Sequence, residues 1–184
     1  FSETKSIIEK NFLKANYYGS IAIRMQIKEE NIKNINSDNI SLVMGSRAHL
    51  VLYPINSKKE FNLVCVIKSK SKDFDSIKSL LENTIYKENK NLISLFNGDI
   101  KSWPIYTSNK PTKSIYKNVF YTGDAFYTFP PTFAQGASQS IESVSEVFEL
   151  IKVEHTDIQN EYFRNRLERT SQINNRSKLN YFYF

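Results

Sequence analysis

Residues 17–27 carry their apolar side chains at every second position, so that Ile21, Ile23, Met25 and Ile27 fall on one face. Successive side chains of a β-strand point to opposite faces, so this alternation predicts a strand with one side buried. Residues 48–55 and 61–67 are two further β-rich runs, joined by the polar linker Asn56-Ser57-Lys58-Lys59-Glu60. So short a connection predicts an antiparallel hairpin. Pro54, near the end of the first run, suits a strand terminus better than a central position. Residues 41–44 read as a shorter strand before a turn at Gly45, and 103–107 as a strand running into the polar loop 108–112.

A sheet with one apolar face has to be covered, and the same sequence supplies helices. Apolar residues at 74, 77, 80, 81 and 85 recur at helical spacing, with Asp73 or Asp75 placed to cap the start. Residues 89–96 suggest a second short helix, stopped by Asn97-Gly98. Further on, Ile141, Val144, Val147, Phe148 and Ile151 line one side of a helix over 138–153. Residues 2–13 and 155–184 also read as helical, the latter more polar. The fold class is therefore α+β: a mixed or antiparallel sheet with covering helices.

The composition excludes several classes. The chain has 184 residues, 40% hydrophobic and 14% aromatic, enough for a real core. Its 25 basic and 19 acidic residues leave +6, but the lysines scatter through polar loops such as 58–59 and 68–72. A nucleic-acid reader would show a basic stripe interleaved with aromatics, so no nucleic-acid partner is expected. Cys65 is alone, which rules out an intrachain disulfide and suits a small buried hydrophobe. One Cys and two His leave no structural zinc set, and no metal is expected. There is no run of 18 apolar residues and no signal peptide; the expected location is cytoplasmic, with peripheral membrane contact left open.

The segment that carries chemistry is 118–142, Asn-Val-Phe-Tyr-Thr-Gly-Asp-Ala-Phe-Tyr-Thr-Phe-Pro-Pro-Thr-Phe-Ala-Gln-Gly-Ala-Ser-Gln-Ser-Ile-Glu. It reads as a short strand over 119–122, a Gly123-Asp124 stop, a loop bounded by Pro130-Pro131, and a helix opening near Gly136. A helix start exposes unpaired N–H groups and the positive end of its dipole, which suit an electron-rich oxygen. Gly136 lets a planar ligand approach the backbone, and Asp124 can accept two hydroxyl hydrogen bonds.

In order and spacing this segment resembles the Gly-Asp flavin motif of the FAD-dependent aromatic-ring monooxygenases, the group of salicylate hydroxylase, p-hydroxybenzoate hydroxylase and the ubiquinone-pathway hydroxylases. The resemblance continues in Tyr18-Gly19-Ser20-Ile21-Ala22, in His49 to Pro54 followed by Phe61-Asn62, and in the closing helix with Arg164, Arg166, Arg169 and Ser177. It departs at Phe126-Tyr127, where the family has Ala-His, and at Ser143, where it has an acidic residue. No Gly-x-Gly-x-x-Gly occurs, so the ADP-gripping N-terminal Rossmann half is expected outside these residues.

The resemblance implies three segments: 1–14 as the end of a first FAD-domain piece, 15–107 as a substrate-binding sheet domain, and 108–184 as the Gly-Asp motif and closing helices. It implies an enzyme that hydroxylates a small aromatic substrate with FAD, NADH or NADPH, and dioxygen. Gly123, Asp124, Pro131, Gly136, Ala137 and Ser138 would contact the cofactor, and Tyr53, Phe129 and Phe133 would line the substrate pocket. Halogenation or epoxidation by a related flavoprotein, and a scaffold module that no longer binds flavin, are the alternatives. His49 on an alternating strand reads as a partly exposed strand residue before it reads as a base. Arg24 and Arg47 are expected in surface ion pairs, and the arginines of 164–176 on a solvated helix face.

Overall fold

The computed structural model describes residues 3–9, 15–32, 38–56, 59–73, 76–84 and 93–183. Its elements are α1 (Glu3–Ile8), β1 (Asn16–Lys28), β2 (Ser41–Met44), β3 (Ala48–Ile55), β4 (Glu60–Lys68), α2 (Ile77–Thr84), β5 (Lys101–Thr107), α3 (Gly136–Lys152) and α4 (Ile158–Tyr183). The chain divides into two compact units, residues 19–105 and residues 1–18 with 106–183.

The first unit is built on the five-stranded sheet, ordered β2-β3-β4-β1-β5, and the β2–β3, β3–β4 and β4–β1 pairings are antiparallel. The alternation read from 17–27 is what fixes its register. Ile23 lies opposite Cys65 and Met25 opposite Leu63, while Leu50 faces Cys65 and Leu52 faces Leu63 on the other side of β4. A one-residue slip would turn every one of these side chains to the other face. Together with Ile21, Ile27, Phe61 and Ile67 they form a single core, covered by Leu81 of α2 and by Phe96. Cys65 is fully buried there, as a small hydrophobe.

The hairpin expected between β3 and β4 is present, with Ile55 opposite Glu60 and Asn56 at a left-handed φ of 49°. Asparagine is one of the few residues that adopt this region readily. Pro54 is the penultimate residue of β3 and lies past the end of β2, which pairs only with His49 to Leu52. Pro104 is tolerated because β5 is at the sheet edge. The start of α2 departs from expectation. Ser76 is the cap, its Oγ accepting from the Ser79 N–H at 3.0 Å, whereas Asp73 precedes the helix and residues 74 and 75 lie outside the described residues. Of the helix expected over 89–96, a 3-10 turn at 93–95 is seen and 89–92 lie outside the described residues.

The second unit holds α1, α3, α4 and the loops of 108–135 around an aromatic core of Tyr121, Phe126, Tyr127, Phe129 and Tyr162 with Ile173. The strand expected at 119–122 does not form. Thr122 is extended, at φ −125° and ψ 162°, but among the described residues no strand pairs with this segment. A ladder needs a partner, so local sequence alone cannot make one.

The pairing of α3 with α4 also corrects an expectation. Arg166 is not on a solvated face: it is 1% exposed and donates to Glu142 at 2.7 Å and to Gln139 at 2.5 Å. Arg164 and Arg169 do reach solvent, pairing with Glu161 and Glu142. The face of α3 that packs inward is thus mixed, with Gln139 and Ser143 buried and Val147 and Leu150 packed on the aromatic core. Its apolar stripe, Ile141, Val144, Phe148 and Ile151, is exposed, Ile141 to 73%.

Candidate functional site

The Gly-Asp segment folds as a short 3-10 turn, Gly123–Ala125, set directly against α3. Gly123 has φ +54°, and its backbone passes so near Ser140 that a β-carbon would meet the serine Oγ at 2.4 Å. Only glycine meets both conditions. The contact holds Asp124, which is exposed, beside the first turns of α3.

The chain then crosses Tyr127 to Pro130 and makes a second 3-10 turn, Pro131–Phe133. α4 fixes this turn from behind: Thr132 donates its hydroxyl to the Ser177 carbonyl at 2.7 Å. Ala134 follows at φ 50°, an uncommon conformation for a residue with a β-carbon. That reversal delivers the chain to the start of α3.

The start of α3 is unusual in being uncapped. Gln135 occupies the cap position with no side-chain hydrogen bond to the helix. The first amide to find a partner is that of Gln139, 2.9 Å from the Gln135 carbonyl. Among the described residues the N–H groups of Gly136, Ala137 and Ser138 have no acceptor, and all three residues are exposed. Nothing lies within 4 Å of where a Gly136 β-carbon would stand. Three free donors, the positive helix end and open space over a glycine fit an electron-rich, planar ligand edge. The six residues expected to contact a cofactor thus belong to one unit, and five of them are exposed: Asp124, Pro131, Gly136, Ala137 and Ser138.

The two departures from the family motif have a packing explanation. Phe126 is buried with its ring 5.9 Å from both Tyr162 and Phe163, and Tyr127 is buried 4.9 Å from Phe129. Both side chains are buried in the core of the unit. Ser143 is buried, its hydroxyl donating to the Gln139 carbonyl at 2.6 Å. Phe129 is 9% exposed and Phe133 half-buried, both within the aromatic core region.

Behind the helix start, Glu142 gathers hydrogen bonds from Arg166, Arg169 and Gln139. Burial by itself would raise its carboxyl, but these donors outweigh it and hold the group below the ordinary carboxylate range. The network locks α3 to α4 and so fixes the direction in which the free N–H groups point.

In the sheet unit, Tyr53 stands on the face opposite the apolar core, in line with His49 and Val51. Asn62 lies directly across from it and is 0% exposed. Asn62 donates to the Tyr53 hydroxyl at 2.5 Å and accepts from Arg24 Nε at 2.6 Å. Arg24 therefore does not enter the expected surface ion pair; among the described residues no carboxylate lies within salt-bridge reach of it. Asn62 has no role in the sequence reading, although a polar residue inside the run Phe61-Asn62-Leu63-Val64 was a visible signal. Arg24 also borders a cavity of about 490 Å³ between β1 and β5, where Lys28 and Lys101 are offset by Glu60 and Asp99. Among the described residues no group of three His, Cys, Asp or Glu can hold a metal ion, and no helix is long and apolar enough to cross a membrane.

No family model matches this sequence, and no curated protein does. Solved structures do. The chain is similar to HpxO of Klebsiella pneumoniae in complex with FAD and uric acid, with a TM-score of 0.74 and 13% identity over 96% of this chain and 47% of that one. It is similar to PqsL of P. aeruginosa in complex with 2-aminobenzoylacetate, with a TM-score of 0.67 and 17% identity over 94% of this chain and 50% of that one. A salicylate hydroxylase in complex with its substrate gives a TM-score of 0.72 and 15% identity, over 93% and 48%. These are flavin-dependent monooxygenases and hydroxylases, and the chain spans about half their length. At such identities the likeness is one of fold, and at that level the resemblance read from the sequence holds.

Proposed function

We propose that this chain is the C-terminal half of an FAD-dependent monooxygenase acting on a small aromatic substrate. The observation that carries the reading is the uncapped start of α3, with three unpaired N–H groups beside Asp124, in a fold whose solved examples include an FAD complex. Asp124 would accept hydroxyl hydrogen bonds from the ribityl chain or hold the pyrophosphate side. The amides of Gly136, Ala137 and Ser138 would hold the flavin pyrimidine oxygen, in the open space over Gly136. Pro131 would pack against the edge of the ring system. When bound, FAD supplies the redox chemistry that joins NADH or NADPH oxidation to dioxygen activation.

The protein's own part is positioning and the exclusion of water. Residues 108–183 serve the flavin, and the sheet of 19–105 serves the substrate. In the sheet unit Tyr53 is half-buried and keeps ring surface for an aromatic ligand; in the other unit Phe133 is half-buried and Phe129 packs its ring on Tyr127. The exposed stripe of Ile141, Val144, Phe148 and Ile151 is the face a helix shows where a further layer covers it. We assign that cover to the Rossmann half that grips ADP.

The test is flavin content in protein that carries both halves. Asp124→Ala removes one or two hydrogen bonds to FAD, each worth about 1.5–3 kcal/mol when a charge is involved, so affinity should fall roughly tenfold to a few hundredfold. Competitive dialysis measures it. Wild-type protein that purifies without a yellow chromophore and takes up no added FAD would replace this reading with that of a scaffold module.

A further inference from the structure

The sheet has two outer edges, and they are built differently. β5 carries Lys101 and Pro104, and a charge and a missing N–H are ordinary devices that keep an edge strand from accepting another. The other edge, β2, has neither. Residues 39–46, Asn-Ile-Ser-Leu-Val-Met-Gly-Ser, hold no charge and no proline. Among the described residues no strand lies beyond β2.

The turn that joins β2 to β3 decides which backbone groups this edge presents. The Gly45 N–H donates to the Ala48 carbonyl at 2.9 Å, so these two residues form a bonded pair. Bonded and non-bonded pairs alternate along an antiparallel ladder. In the observed register Val43 is therefore bonded to Leu50, while Leu42 and Met44, opposite Val51 and His49, aim their N–H and C=O groups outwards. The side chains of Leu42 and Met44 are more than half exposed, on the face away from Val43 and the core.

Two outward-facing residues with one between them are self-complementary under a twofold axis. With Val43 opposite its own copy, Leu42 of one chain stands across from Met44 of the other, and the two exchange N–H and C=O bonds. The side chains agree with this register. Leucine meets methionine on the exposed face, and valine meets valine on the covered face, where Val43 already packs on the core.

We propose that this chain self-associates through β2, two copies joining their sheets edge to edge in that register. A second copy is the occupant because it satisfies the outward groups and sets apolar against apolar side chains at the same time. A contact of two short strands falls well below the roughly 1,200 Å² of a stable specific interface, so the dimer is weak, with a dissociation constant in the micromolar range. The claim does not rest on the flavin reading.

Sedimentation equilibrium of the 184-residue chain tests it, over about 1–300 µM to bracket such an affinity. Wild type should pass from monomer to dimer across this range. Leu42→Lys places a charge on the edge, and Met44→Pro removes an outward N–H without touching the bonds to β3; each should weaken the dimer at least tenfold. Phe148→Lys, on the exposed stripe of α3, should leave it unchanged. Amide exchange reads the pairing itself: Leu42 and Met44 should gain protection with concentration, while Val43, already bonded to β3, should hardly change. A monomer at every concentration, or exchange at Leu42 and Met44 that ignores concentration, would overturn the proposal. So would a dimer that survives Leu42→Lys and is lost in Phe148→Lys, which would put the contact on α3.

Discussion

A β-carbon at position 123 would stand 2.4 Å from Ser140 Oγ and 3.3 Å from Ser140 Cβ, so Gly123 and the second turn of α3 meet with no room for a side chain. The φ of +54° adds a second reason for glycine. Gly123→Ala should destabilise the 106–183 unit by about 2–4 kcal/mol, combining left-handed strain with overpacking. A urea titration followed by tyrosine fluorescence reads it; a midpoint within error of wild type would show that the contact yields freely.

Gly136 is the counter-case. Its β-carbon direction is open, and its φ is not positive. Gly136→Ala should leave stability within about 1 kcal/mol, the scale of glycine's helix penalty, or raise it slightly. Its effect belongs on the ligand: in protein carrying both halves, FAD affinity should fall at least tenfold with the melting temperature of the apo form unchanged. A stability loss as large as that of Gly123→Ala would place Gly136 in the packing.

The Arg166–Glu142 pair is asymmetric, with the arginine 1% exposed and the glutamate partly in water. Arg166→Ala leaves Glu142, Gln139 and the nearby Glu146 without their shared donor. Losing one member of a buried pair costs about 3–5 kcal/mol, and the exposure of Glu142 should bring this case to the lower end. Arg169→Ala, at a half-exposed pair, should cost less than about 1 kcal/mol. Chemical denaturation of the two variants side by side makes the comparison.

Acid should open the same helix pair. Although burial raises the Glu142 carboxyl, bonds from Arg166, Arg169 and Gln139 hold it below its ordinary value of 4.5. A carboxylate with a depressed folded value contributes its full stability above that ordinary value and loses it as pH falls through the lowered one. Thermal melts should therefore decline below pH 4.5 in wild type and decline less in Glu142→Gln. Identical acid profiles would show that other carboxylates govern the transition.

Cys65 should be chemically silent in the folded chain. It has no exposed surface, and burial pushes its thiol up to about 12. A thiol reagent at pH 8 should react only as fast as the sheet unit opens, and at full rate in denaturant. Rapid labelling under native conditions would contradict the packing around Ile23 and Leu50.

What the sequence by itself determined was whatever depends on period and turn chemistry. The alternation of Ile21, Ile23, Met25 and Ile27 set the face and register of β1, the Asn56 turn made the β3–β4 hairpin, and the helical spacing after Gly136 made α3. The residues proposed to hold the cofactor were legible as a candidate motif because a glycine, an aspartate and a helix start follow in order along one stretch of chain. The tertiary structure alone decided what depends on a partner. Residues 119–122 are extended but find no strand to pair with, and Arg166 is buried because Glu142 and Gln139 on another helix receive it. Phe126 and Tyr127 are core residues because Tyr162, Phe163 and Phe129 meet them there. Asn62 joins Arg24 to Tyr53 across three strands, a relation that no spacing along the chain encodes, because strand pairing is settled by the whole sheet.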